Sequence, residues 1–545
     1  MTQESTDHIM QQAGQILLGG AVIPVTGPAA EAVAVAGDRI VAVGSQADVL
    51  EHRGPGTEIV DLRGGTLLPG FVEPHTHPEL SAQCYAWVDV SGFTHKGVES
   101  VTQALRDAVG KNTEGEWIFA FGLDPMLTAN LGTWDRHRLD EIAPRNPMAV
   151  MIQSMHTLFV NSAALSAAGI DENTPDPGGG GRFQRDVNGA PTGAVIEQPA
   201  INVFVRFLYQ SMESWEGWLA GQYRRYRNAG ITTIGIAGIF VPVPLLPLFE
   251  KAAVAPDAVR AVAYRHFARP ETDSWAPSAP ADRFRVQGVK LWYDGSPYSG
   301  TMLLDDPYVE SPLCCDTLGI AGGTTGHANV GRVQLTGMLE TYRDRGWQVL
   351  THTQGDRSTR EVLDAYEEAL RGREKTDHRW RLEHCALITP EDVERAAHLG
   401  VALSFHANHV YYYGPELRDS ILGPARAEAL MPVGTALKHG HRVSLHADSP
   451  MYPPEPLRLM STVVTRRTRT GEQLGAAEAI TPEQALRAVT IDAAWQLFAD
   501  GATGSIEVGK YADFALLERN PLEVPPEDLA DIQVTSTWLG GKPLQ

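Results

Sequence analysis

The sequence predicts an α/β fold: a (β/α)8 TIM-like barrel, with a small β-sandwich built from both termini and a large insertion after the first barrel strand. Three observations predict it. Apolar strand-like runs alternate with helical patterns through the middle of the chain, short strand-and-turn segments occupy both ends, and five of the apolar runs finish on a residue able to bind a metal. At 545 residues the chain exceeds one ordinary core. A barrel of about 250 residues leaves room for further units.

At the N-terminus, Ile16-Leu17-Leu18, Ala32-Val33-Ala34-Val35 and Arg39 to Gly44 read as short strands. Residues 503–545 have the same character, with Asp513-Phe514-Ala515-Leu516-Leu517 and Val534 to Leu539. Neither end has the apolar surface to stand alone. Residues 1–67 and 491–545 are therefore expected to combine into one sandwich. Between them, residues 68–490 form the barrel, with strands near 67–73, 231–237, 260–266, 285–292, 347–352, 380–384, 400–405 and 442–447. Helical patterns intervene, for example Arg360 to Arg371 and Thr389 to Leu399, the latter opening with Thr389-Pro390-Glu391-Asp392, a good helix start. The first gap is far longer than the rest, so residues 78–225 read as an inserted subdomain with a Gly178–Gly181 loop and a turn at Asn188-Gly189. No Lys-Ser/Thr and helix follow those glycines, which points to a loop or lid at a pocket and not to a phosphate cradle.

The chemistry begins at Gly70-Phe71-Val72-Glu73-Pro74-His75-Thr76-His77. Side chains alternate along a strand, so His75 and His77 face the same way. Two converging imidazoles suit zinc and its neighbours, although two polar histidines at a strand end would look the same. Four further runs sharpen the reading: 285–290 delivers Lys290, 348–352 His352, 380–384 His384 and 442–448 Asp448. All end where a (β/α)8 barrel places its chemistry.

The formal net charge of −21 argues against phosphate-backbone binding, which needs a basic footprint, so no nucleic-acid partner is expected. No run of about 18 apolar residues marks a membrane span. Met1 to Gln15 lacks the basic start and apolar core of a signal peptide, and four cysteines are too few for a disulfide scaffold. A cytoplasmic protein acting on a small molecule is expected, with a homodimer as the expected assembly.

Further motifs carry a family resemblance: Leu68-Pro69-Gly70-Phe71-Val72, Gly288-Val289-Lys290-Leu291-Trp292-Tyr293-Asp294-Gly295-Ser296, and Gly504 to Phe514 followed by Arg519-Asn520-Pro521-Leu522. With them the chain resembles metal-dependent hydrolases of the amidohydrolase superfamily, in the amidohydrolase-3 branch that includes YtcJ-like proteins and N-substituted formamide deformylase. The resemblance spans nearly the whole chain. It implies one or two divalent ions, zinc or alternatively Mn, Fe, Co or Ni. His75, His77 and Asp448 would hold the buried ion, His352 and His384 the exposed one, and a carbamate on Lys290 would bridge them. A lysine paired with an acid such as Asp294 is the alternative. The implied reaction is hydrolysis of a non-peptide carbon–nitrogen bond in an N-substituted amide or formamide, with Lys290, His352 and Asp448 as catalytic residues and Asp448 as the general base and acid. A lyase, decarboxylase or isomerase on the same barrel is the rival.

Two stretches depart from the branch. Strand eight commonly ends in Gly-Ser-Asp and strand five in His-Ala-Ile-Gly-Asp, where this chain has His446-Ala447-Asp448 and His352-Thr353-Gln354-Gly355-Asp356. His446 is read as a substrate contact, with a metal ligand or a core histidine as alternatives. His409, followed by Tyr411-Tyr412-Tyr413, reads as pocket wall and substrate contact; His156 and Tyr293 are further substrate-binding candidates. Glu383 is expected on the opposite strand face from His384.

Overall fold

The computed structural model describes residues 11–132, 134–178, 181–207, 212–239, 245–267, 278–373 and 376–544. Eight parallel strands form the central barrel: β1 (Phe71–Thr76), β2 (Ile231–Ala237), β3 (Arg260–His266), β4 (Phe284–Trp292), β5 (Gln348–Thr353), β6 (Arg381–His384), β7 (Ala402–Phe405) and β8 (Ser444–Leu445). Each pairs with the next in register, for example Lys290 with Leu350 and His352 with Glu383. The final gap, between β8 and β1, is bridged by the His77 amide donating to the Ser449 carbonyl at 3.1 Å and the Ala447 amide to the Glu73 carboxylate at 3.1 Å. Helices such as Arg332–Asp344, Asp356–Leu370 and Pro390–His398 cover the outside. The last of these is capped as its sequence predicts, the Thr389 hydroxyl accepting from the Asp392 amide.

Both termini meet in two small sheets. One contains Ala13–Leu18, Ala32–Ala36, Arg39–Gly44 and Arg53–Asp61; the other contains Ala21–Val22, Thr66–Pro69, Phe514–Leu517, Val534–Leu539 and Lys542–Pro543. Leu17, Val33, Val35 and Leu67 bury against Phe514 and Trp538, so neither end makes this core without the other. The bounds differ from the sequence reading on both sides. Thr66–Pro69 pairs with Phe514–Leu517, and β1 starts only at Phe71, after the chain turns at Gly70. A Cβ at Gly70 would lie 2.1 Å from the Thr232 hydroxyl of β2, so only glycine lets the chain pass there. Beyond residue 490, the helix Ile491–Gln496 packs Ala493 and Ala494 against Val72 and Leu350, which makes it part of the barrel floor.

Between β1 and the helix Met212–Asn228 leading into β2 lies a six-stranded mixed sheet. Its central strand, Met148–Ile152, sends Ala149 and Met151 into one apolar cluster and Met148 and Val150 into another. The period-two alternation thus gives the insertion cores of its own on both faces. Gly179 and Gly180 of the glycine loop lie outside the described residues.

Candidate metal centre

At the C-terminal end of β1 the expected pair converges. The Nε2 atoms of His75 and His77 lie 3.4 and 3.2 Å from Asp448 Oδ1, and Lys290 Nζ lies 3.2 Å from His75 Nε2. Each imidazole is oriented from behind. His75 Nδ1 donates to Glu383 at 2.6 Å, and His77 Nδ1 to the Gly238 carbonyl at 3.4 Å. Gly238 has φ +89°, and a Cβ there would sit 2.6 Å from the Trp292 ring and 3.2 Å from Lys290 Cβ. The Lys290 pocket therefore requires glycine at this place.

Glu383 corrects the sequence reading: it faces inward, onto His75. Strand alternation predicts that Glu383 and His384 point apart, but β6 ends at His384 in a left-handed conformation, φ 73°. That twist returns the His384 ring to the same side. Asp448 also has positive φ, 54°. Non-glycine residues in this region cost about 1–3 kcal/mol each and concentrate at functional sites.

His384 and His352 lie side by side, ring centroids 4.3 Å apart. His352 Nδ1 donates to Asp294 at 3.0 Å, and Asp294 also accepts from the backbone amides of Leu303, Gln354 and Gly355. The alternative pairing of Lys290 with Asp294 is thus not adopted. His406, at the end of β7, comes within 3.9 Å of Asp448 Oδ2 through Nδ1, while its Nε2 donates to the Ala447 carbonyl at 3.1 Å. The sequence pattern gives His406 no role, because it follows the last residue of its strand and no periodicity fixes its direction.

These groups form the floor of a cavity of about 1120 Å³, walled by Leu80, Trp87, Met151, Met155, Trp292 and Tyr298. His77, Lys290, His352, His384, His409, Asp448 and His156 all line it. His156 pairs with Glu197 at 3.1 Å. His409 holds the Tyr298 and Tyr452 hydroxyls at 2.6 and 2.5 Å through Nδ1, and its Nε2 has no protein partner. Two expected contacts are not in the lining. Tyr293 is buried in the barrel wall with its hydroxyl on Glu361, since Lys290, Trp292 and Asp294 take the inward positions on either side. His446 lies beneath the floor, stacked on His75 with centroids 4.7 Å apart and Nε2 3.1 Å from His384 Nδ1. His327 and Asn329, from the loop after β4, line the cavity without any signal in the sequence pattern.

The donor set fits a divalent metal. His75, His77 and Asp448 bring ligand atoms within 4.8 Å of one another, as do His384, His406 and Asp448, and as do His75, His384 and His446. His384 Nε2, His406 Nδ1 and Asp448 Oδ1 are buried without a hydrogen-bond partner, an arrangement costly unless a cation or solvent completes it. Burial lowers the pKa of His75, His384 and His446, and that of His406 to about 4, keeping the rings neutral as ligation requires. Burial also brings Lys290 down to about 8. It pushes Asp448 upward, but His75 and His77 outweigh it and hold the carboxylate well below its usual range.

A barrel with carboxylate, imidazole and a buried lysine at the C-terminal strand ends defines the class, a metal-dependent hydrolase. The chain belongs to the amidohydrolase family, whose Amidohydro_3 model matches residues 58–545. It is 28% identical to N-substituted formamide deformylase of Arthrobacter pascens, covering 94% of both chains, and 27% identical to YtcJ of Bacillus subtilis, covering 95% and 96%. An uncharacterized metal-dependent hydrolase from Pyrococcus horikoshii shares the fold, with TM-score 0.73 at 22% identity over 94% of this chain and 99% of that one. No described helix is long and apolar enough to cross a membrane.

Proposed function

We propose that this chain hydrolyses a small N-substituted amide or formamide, with Asp448 as the general base and then the general acid. The observation that carries the reading is the convergence of His75, His77, Lys290, His352, His384 and Asp448 on the floor of one large cavity with apolar walls. Overall similarity to a formamide deformylase supports the substrate class. His75, His77 and Asp448 would hold one ion; His352 and His384 would serve a second. When bound, such an ion polarises a carbonyl and brings the pKa of water toward neutrality.

The chain's own groups do the rest. Asp448 accepts a proton as water adds to the carbonyl carbon, then returns it to the nitrogen as the carbon–nitrogen bond breaks, releasing an acid and an amine. Trp87, Trp292 and Met155 offer apolar surface to a nitrogen substituent. Lys290, buried beside His75, would in its neutral form add carbon dioxide, giving up one proton from its nitrogen, and so offer a carbamate as a further anionic donor to the metal. The four cysteines are free, as suits a cytoplasmic protein. The test is turnover of a panel of N-formyl and N-acyl amines by protein loaded with zinc or manganese, alongside elemental analysis. Release of amine from none of them, by protein carrying metal, would exclude the substrate class.

A further inference from the structure

His409 lies in the first turn of the helix Asn408–Glu416 that follows β7, buried in the lining of the cavity beside His406, with ring centroids 4.3 Å apart. Its Nδ1 is wedged between two hydroxyls that other loops deliver. Tyr298, from the turn after β4, lies at 2.6 Å, and Tyr452, from the segment after β8, at 2.5 Å. Both tyrosines are buried. Among the described residues, each hydroxyl has only this nitrogen and the other hydroxyl as partners.

The hydrogens of this cluster can be counted. Each tyrosine hydroxyl brings one and can also accept, whereas a ring nitrogen either donates or accepts. With a hydrogen on Nδ1, the ring donates to one hydroxyl, that hydroxyl donates to the other, and the last hydrogen has no acceptor. With Nδ1 bare, one hydroxyl donates to the ring and the second to the first, so every hydrogen is placed. The neutral ring then carries its hydrogen on Nε2. That atom is buried and has no partner in the protein. A buried N–H without an acceptor is costly unless a molecule in the cavity supplies one.

We infer that His409 presents an Nε2–H donor to the cavity, and that its acceptor is the carbonyl oxygen of the substrate, which gains negative charge as water adds. Tyr298 and Tyr452 are positioning residues, acting through Nδ1. The neighbouring His406 comes within 3.9 Å of Asp448, so the donor stands one imidazole away from the proposed base. A donor fixed in advance needs no reorganisation as charge develops, and losing one such donor typically lowers kcat by roughly 100- to 1,000-fold. The identity of the oxygen rests on the proposed reaction; the place of the hydrogen does not.

His409→Asn removes the donor with least disturbance, because the asparagine carbonyl can take a hydroxyl in place of Nδ1 while nothing reaches the position of Nε2. Zinc-loaded His409→Asn should keep its metal content and lose roughly 100- to 1,000-fold in kcat on any amide that the wild type turns over. His409→Gln brings an amide N–H near the Nε2 position and should recover part of that loss. Long-range 1H–15N histidine spectra of the metal-free wild type should show the His409 hydrogen on Nε2. Tyr452→Phe should keep it there, since Tyr298 still donates, whereas Tyr298→Phe combined with Tyr452→Phe should give a mixture of tautomers. A hydrogen on Nδ1 in the wild type, or a folded His409→Asn enzyme with undiminished kcat, would overturn the inference. If the wild type turns over no amide, the proposed reaction falls, and formate added to the zinc-loaded protein stands in for the carbonyl oxygen. Its binding should shift the Nε2–H resonance and weaken about tenfold or more in His409→Asn. No shift and equal affinity would exclude the donor.

Discussion

Asp448 meets four imidazoles at the floor of the cavity, and its two oxygens divide the work. Oδ1 lies toward His75 and His77 while Oδ2 lies toward His384 and His406. Replacing it with asparagine keeps the shape but removes an anionic donor and the proton acceptor together. Asp448→Asn is expected to fold and to lose turnover by more than the roughly 100- to 10,000-fold ascribed to general acid–base catalysis alone. Steady-state rates combined with metal content per chain separate the two losses; an active Asp448→Asn enzyme would remove Asp448 from the role of base. Lys290 has a different signature. Lys290→Ala should lose most activity and regain part of it with short carboxylic acids, which can occupy the space of a bridging carbamate, whereas Lys290→Arg should not be rescued because a guanidinium fills that space with fixed positive charge. Unmodified Lys290 in the electron density of an active crystal would contradict the carbamate.

At the scale of single strands, β6 shows how much depends on one turn of backbone. Arg381, Glu383 and His384 are all buried: Arg381 donates to Glu383 and to the Pro74 carbonyl, and Glu383 in turn holds His75. Glu383→Gln should lower zinc affinity about 10–100-fold by weakening the hold on His75. It should also cost roughly 3–5 kcal/mol, because the Arg381 charge is left buried with a neutral partner. Zinc titration and chemical denaturation read the two effects separately, and a variant unchanged in both would make the pair ornamental. The same strand marks where the sequence stops being legible. Strand ends and apolar runs located the barrel and brought His75, His77, Lys290, His352, His384 and Asp448 to one place, because period-two patterning and the polarity of a parallel barrel are written locally. Glu383 was misread because the left-handed turn at His384 is not encoded by residue type. His406, His327 and the partner of His446 depend on loop paths and on contacts across the barrel, which no window of sequence contains.

Across the whole molecule, the two chain ends are held to each other and to the barrel by charged groups as well as by the sandwich core. Glu507 accepts from Thr26 at 2.7 Å and from Ser505, and pairs with Lys510 at 3.2 Å; these contacts draw its carboxyl down to about 2. A depressed carboxyl stabilises the fold above its unfolded pKa of about 4.3. That contribution fades as pH falls from there toward 2, so Glu507→Gln should flatten the loss of thermal stability across this window while lowering stability at pH 7. The stronger tie is buried. Arg260 of β3 donates two bonds to Asp513 of the C-terminal segment, 2.6 and 3.1 Å, lies over the Tyr511 ring at 3.6 Å and donates a third bond to Asp282. Burial alone would lower the Arg260 pKa, but Asp513 and Asp282 reverse the shift and keep the guanidinium charged. Removing one partner of a buried pair costs about 3–5 kcal/mol, because the other charge is stranded. An exposed pair such as Arg360 with Asp305 is worth about 1 kcal/mol or less despite its comparable distance, 2.6 Å. Asp513→Asn should therefore destabilise the protein several-fold more than Asp305→Asn in chemical denaturation, while the metal centre, which shares no side chain with this tie, keeps its zinc affinity. Equal losses for the two substitutions would show that the barrel and the terminal sheets are joined by their apolar surfaces alone. A loss of zinc affinity in Asp513→Asn would show instead that β3 transmits strain from the sandwich to the floor of the cavity.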